Sequence, residues 1–406
     1  MKKIFDYMKQ PAFWLVFCSL LMLVVPTIVW EDLDTEDQEA IKQYVKDNTP
    51  ADQQFSENRA AVKKPVLQFT DLQRYPGRFE LYYNDAFPFR DYLVWKSRKI
   101  TTRLTNNFNP KIIEGKDGFL FYTVPGSPNN NEAYDFTGKK QWTQAQMDVL
   151  VSKLDGVRKG LSEMGIHFCV VIAPNKMTVY PEKLPEKRHY KRAEQLRAEQ
   201  LVAYAKQHAP ELQIRFLEVP LRDAKKNVDL PLFFQEDTHW NALAGYVSAR
   251  EILKMIPGGK QLPPLWEAEI VPAGVMVGGD LRNQLGTGTK GTYPIYRVKL
   301  PGEKKIRILP EHSEERHRWS DNPSAPDQRT IWFYRDSFGD AVLPYLTQIF
   351  RRTDSYHRNV PIRRSQFANP KKRPHIVVFQ IVERNLRSLD SVDFESDEDE
   401  RLELFR

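Results

Sequence analysis

Two short segments of this chain carry residues that together could perform nucleophilic catalysis. The first is Asp237-Thr238-His239-Trp240, and the second is Arg335-Asp336-Ser337-Phe338. A serine hydroxyl becomes an effective nucleophile when an imidazole takes its proton and a carboxylate holds the other ring nitrogen. These residue types therefore allow acyl transfer through a covalent serine ester.

The residues around Ser337 predict a turn between a strand and a helix. The run Thr330-Ile331-Trp332-Phe333-Tyr334 is β-branched and aromatic, which indicates a buried strand. Beyond the serine, apolar residues recur at near-helical spacing, with Pro344 near the first turn: Ala341, Leu343, Leu346, Ile349 and Phe350. A serine in such a turn lies at the carboxyl edge of the sheet, where α/β folds bind ligands and where an oxyanion is best stabilised.

The Asp237 segment is predicted to form a short turn as well. It follows the apolar run Leu230–Phe234, and a helix is expected to begin at Asn241. A carboxylate two residues from an imidazole on a turn can orient it. Because Asp-x-His pairs also arise by chance, the spacing alone leaves an ordinary structural turn as the alternative.

The order of these segments resembles the bacterial alginate O-acetyltransferase family, an SGNH-hydrolase-like group in which an Asp-x-His motif precedes the serine block. Ordinary SGNH esterases carry the serine near the start of the domain, so the motif order here is circularly permuted. One departure is Arg335, which stands where the wider superfamily usually has glycine. Other segments that resemble the family are 56–59, 87–91, 114–122, Pro174-Asn175-Lys176, 180–182 and Val382-Glu383-Arg384.

The resemblance implies an O-acetyltransferase in which His239 takes the proton of Ser337 while Asp237 orients the imidazole. It also implies that a membrane-bound O-acyltransferase partner delivers the acetyl group, and that a hydroxyl of an exported carbohydrate polymer accepts it. Two other functions remain open. An esterase would use water as the acceptor, and a non-catalytic polysaccharide-binding subunit would carry the triad incidentally.

Residues that contact the substrate are predicted at the same sheet edge and in a basic segment after the serine helix. Asn175 either donates a hydrogen bond to the acyl group or caps its turn. The basic segment is either a solvated face or a cradle for a carboxylate-bearing polysaccharide. The candidates are Asn175, Lys176, Tyr334, Arg335, Arg363, Arg364 and Glu383.

An export signal is predicted at the amino terminus. Residues 11–30 are apolar, with lysines before them and acidic residues after them. A run of that length can cross a bilayer as one helix, and the charge asymmetry leaves the amino terminus in the cytoplasm. A cleaved signal peptide is the alternative, but the run lacks a small-x-small cleavage pattern. We therefore expect a single-pass inner-membrane protein with its catalytic domain in the periplasm.

The rest of the sequence predicts an α/β protein with an SGNH-hydrolase-like sheet flanked by helices. Its expected parts are the anchor (1–30), a polar helical region (31–110), the catalytic domain (111–390) and an acidic tail (391–406). Near-continuous apolar strands are expected at 166–173 and 376–381, and a helix is expected to follow Thr143 and end at Gly165. The glycine pair Gly278-Gly279 could bring backbone N–H groups to an oxyanion, but we interpret it as a plain loop.

Composition limits the chemistry further. The chain of 406 residues has 28% charged residues and a net charge of +7, which fits a globular protein and permits an anionic partner. No nucleic-acid motif accompanies that charge. The sequence has no His-Glu-x-x-His, no phosphate-binding glycine loop and only two cysteines, Cys18 and Cys169. We therefore expect no metal and no cofactor.

Overall fold

The computed structural model describes residues 111–395, apart from 125–130, 140, 187–189, 286–290, 313–316 and 393, together with residues 39, 40, 43, 75, 77–79 and 82. The chain forms two compact units, one of residues 1–108 with 285–289 and the other of residues 109–284 with 290–406. In the first unit, the rings of Tyr75 and Phe79 stack with centroids 5.9 Å apart. The second unit contains both predicted catalytic segments.

The predicted membrane anchor lies outside the described residues, and so does the acidic tail beyond residue 395. Among the residues that the structure does describe, no helix is both long enough and apolar enough to cross a bilayer.

Thirteen strands are found in the described part of the second unit. They are β1 (Ile112–Glu114), β2 (Leu120–Tyr122), β3 (His167–Ala173), β4 (Gln213–Phe216), β5 (Ile270–Val277), β6 (Thr292–Val298), β7 (Leu309–His312), β8 (His317–Asp321), β9 (Asp327–Arg335), β10 (Phe350–His357), β11 (Ile362–Arg363), β12 (Ile376–Val382) and β13 (Phe394–Glu395).

Seven of these strands form the central sheet in the order β4-β3-β12-β9-β10-β8-β7. The five strands from β4 to β10 are parallel, whereas β8 and β7 are antiparallel to their neighbours. The sheet is therefore mixed, and β9, which leads into Ser337, lies near its centre.

Eight α-helices accompany the strands in the described part of this unit. They are α1 (Glu132–Thr137), α2 (Gln144–Ser162), α3 (Lys176–Val179), α4 (Arg197–His208), α5 (Glu218–Asn227), α6 (Ala242–Met255), α7 (Asp280–Leu285) and α8 (Leu343–Ile349). A 3₁₀ turn at Ser337–Ala341 separates β9 from α8.

The two faces of the sheet bury separate apolar cores, because side chains alternate along each strand. In β9, Ile331 and Phe333 belong to the core that includes residues of α5, α6 and α8. Trp332 and Tyr334 belong to the other core, which includes residues of α2 and α4. The buried second half of β9 thus holds the serine turn against helices of the first core.

Several predicted elements are confirmed. Thr143 caps α2 through a reciprocal capping box, and Gly165 takes the left-handed conformation (φ 74°) that ends the helix. Pro344 lies in the first turn of α8. Phe350 starts β10 rather than ending the serine helix.

Gly278 and Gly279 lie in a loop, as predicted, and belong to neither a strand nor a helix. These glycines connect β5, one strand of an antiparallel hairpin with β6, to helix α7. Most of β5 is exposed, so the hairpin buries no apolar run that would mark it in the sequence. As described below, Gly279 lies directly against the Asp237 segment.

Candidate active site

Ser337, His239 and Asp237 form a continuous hydrogen-bonded chain. Ser337 Oγ lies 2.7 Å from His239 Nε2, and His239 Nδ1 lies 2.7 Å from Asp237 Oδ1. Ser337 is exposed, while Asp237 is buried. This arrangement has the geometry of a serine nucleophile, a general base and its orienting carboxylate.

The Asp237 segment is held in place by aromatic packing and backbone bonds. The Trp240 indole Nε1 donates to the carbonyl of Phe338 at 2.7 Å, which ties the histidine turn to the serine turn. The Phe338 ring lies 5.0 Å from the His239 ring, centroid to centroid. Asn241 caps α6 by accepting hydrogen bonds from Leu243 and Ala244. The imidazole therefore has little freedom to move away from Ser337.

Asp237 controls the protonation of His239. Burial alone would lower the pKa of His239, but the hydrogen bond from Nδ1 to Asp237 and the negative charge of that carboxylate outweigh it and raise the pKa above the usual value. Burial would raise the pKa of Asp237, yet the hydrogen bonds it accepts keep that pKa below its usual value. Asp237 is thus ionised and favours an imidazolium next to Ser337.

Asp280 is a second carboxylate at this site that the sequence analysis did not single out. Its Oδ2 lies 3.8 Å from His239 Nδ1, and its backbone N–H donates to Asp237 Oδ2 at 2.8 Å. Its carboxylate accepts from the backbone N–H and the hydroxyl of Thr238 at 2.7 and 2.6 Å. Burial and the charge of Asp237 raise the pKa of Asp280. Asp280 therefore fixes the orienting carboxylate in place.

Gly279 allows Asp280 to come this close. A Cβ atom at residue 279 would lie 2.3 Å from the Glu236 carbonyl oxygen and 2.7 Å from Asp237 Cβ. Only a residue without a side chain fits there. The glycine pair was the sole sequence signal for this contact.

The serine turn is anchored by Asp336. Its carboxylate accepts from the backbone N–H of Phe338 at 3.0 Å and from that of Val382 at 2.7 Å. Burial raises the pKa of Asp336, although these two hydrogen bonds counteract the effect. The turn that presents Ser337 is thereby joined to the end of β12.

Arg335 supports the same turn from inside the protein. Its guanidinium lies 3.0 Å from Asp340 and donates to Ser355 Oγ at 2.9 Å. Gly339 leaves space for the arginine stem, because a Cβ at residue 339 would lie 2.5 Å from Arg335 Cδ. The absence of the usual glycine at 335 is therefore accompanied by a glycine at 339.

Comparison with known proteins finds relatives of part of this chain. Residues 112–303 match the family model described as SGNH hydrolase-like domain, acetyltransferase AlgX, and this stretch includes Asp237 and His239. A protein named probable alginate O-acetylase AlgJ from Pseudomonas syringae pv. tomato is 27% identical over 177 residues, which cover 43% of this chain and 40% of that protein. The resemblance to the alginate O-acetyltransferase family is confirmed.

A second relative, also named probable alginate O-acetylase AlgJ, comes from Azotobacter vinelandii. It is 27% identical over 230 residues, which cover 55% of this chain and 53% of that protein. The chain thus spans about half or less of the length of these two curated relatives. The solved O-acetyltransferase domain of Pseudomonas putida AlgJ has a TM-score of 0.41 and 16% identity, covering 73% of this chain and 100% of that one. The matched stretch of the chain has an α/β, SGNH-like fold.

Four of the predicted substrate-contacting residues are placed where a polymer cannot reach them. Asn175, Lys176, Tyr334 and Glu383 each have a relative exposure of 0%. Asn175 neither caps its helix nor faces the triad, because its amide donates to Asp135 at 3.2 Å. This burial corrects their prediction as direct substrate contacts.

Lys176 and Glu383 have structural roles instead. The Lys176 ammonium donates to the carbonyls of Leu120 and Gln235 at 2.7 and 2.9 Å, which positions the chain two residues before Asp237. Burial lowers the pKa of Lys176 to about 8. Glu383 accepts from the backbone of Asn175 at 2.8 Å, and burial raises the pKa of Glu383 well above its usual value.

The predicted arginine contacts are not gathered around the triad either. Arg335 is buried behind the serine turn, as described above. Arg363 and Arg364 lie between Ile362 and Phe367, which pack in the core on the opposite face from Trp240 and Phe338. Within the basic segment, Arg352 pairs with Asp354 at 2.8 Å. These positions favour a structural interpretation over a polysaccharide cradle at the triad.

Substitution of Gly339 by alanine is expected to slow acylation of Ser337 by about 10²-fold, because a displacement near 1 Å in a catalytic group has that effect. The new Cβ would push against Arg335 and shift the turn. Gly156→Ala in α2 is a matched control, since a Cβ there meets nothing within 4 Å. The rate of acyl-enzyme formation, followed by intact mass, checks the difference. Equal rates in both variants would contradict the tight turn.

Activity is expected to rise with pH through a midpoint above about 6.5, the ordinary pKa of histidine. Only the neutral imidazole can take the serine proton, and the surroundings of His239 raise its pKa. Because the Asp280 charge contributes to that rise, Asp280→Asn should move the midpoint to lower pH. The measurement is kcat/KM for phenyl acetate against pH, with exposed Glu163→Gln as control. A midpoint that stays or rises in Asp280→Asn would refute this assignment.

Proposed function

We propose that this protein is an exported O-acetyltransferase that transfers acetyl groups to hydroxyls of a polysaccharide through an acyl-enzyme at Ser337. The observation that carries the proposal is the hydrogen-bonded chain from Ser337 Oγ through His239 to Asp237. The family resemblance supports acetyl transfer as the reaction class.

In the first half of the proposed reaction, Ser337 Oγ attacks the carbonyl carbon of an acetyl ester. At the same time, His239 Nε2 takes the proton of the Ser337 hydroxyl. Backbone N–H groups near the serine hold the oxyanion, as in other acyl transfers. The C–O bond to the leaving alcohol then breaks, and the imidazolium returns the proton to that alcohol. Asp237 stabilises the imidazolium throughout this half-reaction.

In the second half, a sugar hydroxyl replaces the leaving alcohol. His239 takes the hydroxyl proton, the sugar oxygen attacks the acetyl carbonyl, and Ser337 is released with its proton restored. Water at the same position would give free acetate. Because the Ser337 side chain is exposed, hydrolysis by the same triad is the competing outcome.

The cellular setting is part of the proposal. The apolar run 11–30 anchors the chain in the inner membrane, and a membrane-bound O-acyltransferase supplies acetyl groups to the periplasmic side. A reporter fused after Arg406 should be active only if it functions outside the cytoplasm. Activity of a strictly cytoplasmic reporter at that position would overturn this topology.

The experiment that tests the reaction uses the full chain with phenyl acetate, in the presence and absence of alginate oligosaccharides. Mass spectrometry follows the acetyl group to the protein, to the sugar or to free acetate. Acetylated sugar that depends on Ser337 supports the proposal. Acetate alone supports an esterase, and no turnover supports a binding subunit.

A further inference from the structure

A cavity of about 540 Å³ opens beside the catalytic serine and contacts Asp237, His239 and Ser337. Its walls come from the start of α6, from β6 and the residues after it, and from the serine turn with α8. The volume falls in the range of about 300–1,000 Å³ that is typical of small-molecule sites. An acetyl methyl group would fill only a small part of it.

Several of the side chains that line the cavity are apolar. Trp240, Ile295, Val298, Leu300, Pro344 and Tyr345 line it. Val298 and Leu300 are otherwise buried in the protein, and the Tyr345 hydroxyl is occupied by the backbone N–H of Val298 at 3.1 Å. These walls offer carbon surface to whatever enters.

Polar side chains on the wall are already engaged with other parts of the protein. Arg297 and Glu303 form a bidentate pair at 2.8 and 2.7 Å. The Gln348 amide bonds both ways to the backbone of Lys304, at 3.0 and 2.8 Å.

The two remaining polar groups described on the wall are also paired. Asp340 accepts from Arg318 at 2.7 Å and lies 3.0 Å from Arg335, and Asn241 caps α6. Sugar recognition depends on polar groups aimed at the ligand hydroxyls, and burying hydroxyls without partners is costly. The cavity therefore suits an apolar group better than a sugar ring.

We propose that this cavity binds the apolar part of the ester that acylates Ser337. The inference rests on the proposed function and adds the chemical class of its donor. The apolar part is the leaving alcohol of an acetyl ester, which is bonded to the carbonyl next to Ser337. An acyl chain longer than acetyl would be bonded to the same carbonyl, and the test below distinguishes the two. In either case the Oγ–carbonyl bond forms, the bond to the leaving oxygen breaks, and that oxygen receives the proton held by His239.

The test has two arms, each read as acyl-enzyme formation on the full chain by intact mass. One arm varies the acyl chain from phenyl acetate to phenyl butyrate and phenyl hexanoate. The other keeps the acetyl group and compares phenyl acetate with 2-naphthyl acetate. Each rate is divided by the alkaline hydrolysis rate of the same ester. A buried methylene should raise the normalised rate by up to about fourfold, which corresponds to ~0.8 kcal/mol.

Variants locate the effect in the cavity. Ile295→Trp on β6 narrows it and should reduce the preference for the larger ester relative to phenyl acetate. Val275→Trp is the matched control, because Val275 lies on the paired strand with 65% exposure, and it should leave the preference unchanged.

The two arms distinguish a leaving-group pocket from an acyl-chain pocket and from a cavity that binds neither group. A gain in the second arm that Ile295→Trp reduces identifies a leaving-group pocket and supports the inference. The same gain in the first arm identifies an acyl-chain pocket and replaces acetyl by a longer acyl group in the proposed function. Normalised rates that are flat in both arms, with an acetyl-enzyme still formed, overturn the inference and leave the proposed function standing. A folded protein that is acylated by none of these esters overturns the proposed function and this inference with it.

Discussion

Replacing Ser337 with alanine should give a folded protein whose acetyl transfer is slower by about 10⁴-fold or more, because removal of a serine nucleophile commonly has an effect of that size. The serine lies on the surface of its turn and holds no buried partner besides His239, so folding should be little affected. Intact mass after exposure to phenyl acetate should show an acetyl group on the wild type and none at residue 337 in the variant.

Ser162→Ala is the control for this prediction, since Ser162 is an exposed serine at the end of α2. It should be acylated at the wild-type rate. If Ser337→Ala kept most of its activity, the nucleophile would have to be a different residue.

The second large effect is expected for Asp237→Asn, with a fall of about 10⁴-fold in kcat. The amide nitrogen can donate to Nδ1, whereas the carboxylate only accepts from it. The imidazole would then carry its proton on Nε2 and could not take the proton of Ser337. His239→Ala should be similarly slow because no base remains. Both are measured as single-turnover acylation rates.

Cooperation between the three residues provides the sharper test. Adding Asp237→Asn or His239→Ala to Ser337→Ala should slow the reaction little further, because members of a triad act as one unit. Multiplicative losses in the double variants would mean that the hydrogen-bonded chain does not function as a triad.

The sequence predicted the strands that are marked by apolar runs and the turns that follow those runs. Strands β3 and β12 are near-continuous apolar runs, and such runs are buried on both faces of a parallel sheet. The second half of β9 is β-branched and aromatic and is buried as well. Because β9 ends at the serine and the Asp237 turn follows an apolar segment, their meeting at one site could be predicted. The 2.7 Å contact between Ser337 and His239 agrees with that geometry.

The apolar pattern of the strands does not specify the direction in which a polar side chain points. Asn175 and Glu383 follow β3 and β12 at the expected edge, yet both side chains turn inward. Glu383 accepts from the backbone N–H of Asn175, and the Asn175 amide donates to Asp135. A position at the edge of a sheet does not specify whether a polar side chain faces the ligand or a buried partner. Asp280 was missed for a related reason, because it reaches Asp237 across 43 residues through a glycine contact with no characteristic spacing.

The central position of β12 affects when Ser337 becomes reactive during synthesis of the chain. This strand comes late in the chain but pairs with β3 on one side and β9 on the other, and its last backbone N–H anchors Asp336. A nascent chain that ends before residue 376 would contain Asp237, His239 and Ser337. It would lack β12, the strand that pairs with β3 and β9 and anchors Asp336. Long-range pairing of this kind makes folding slow. The nucleophile should therefore mature only after β12 has been synthesised, which keeps a shorter nascent chain from reacting with esters.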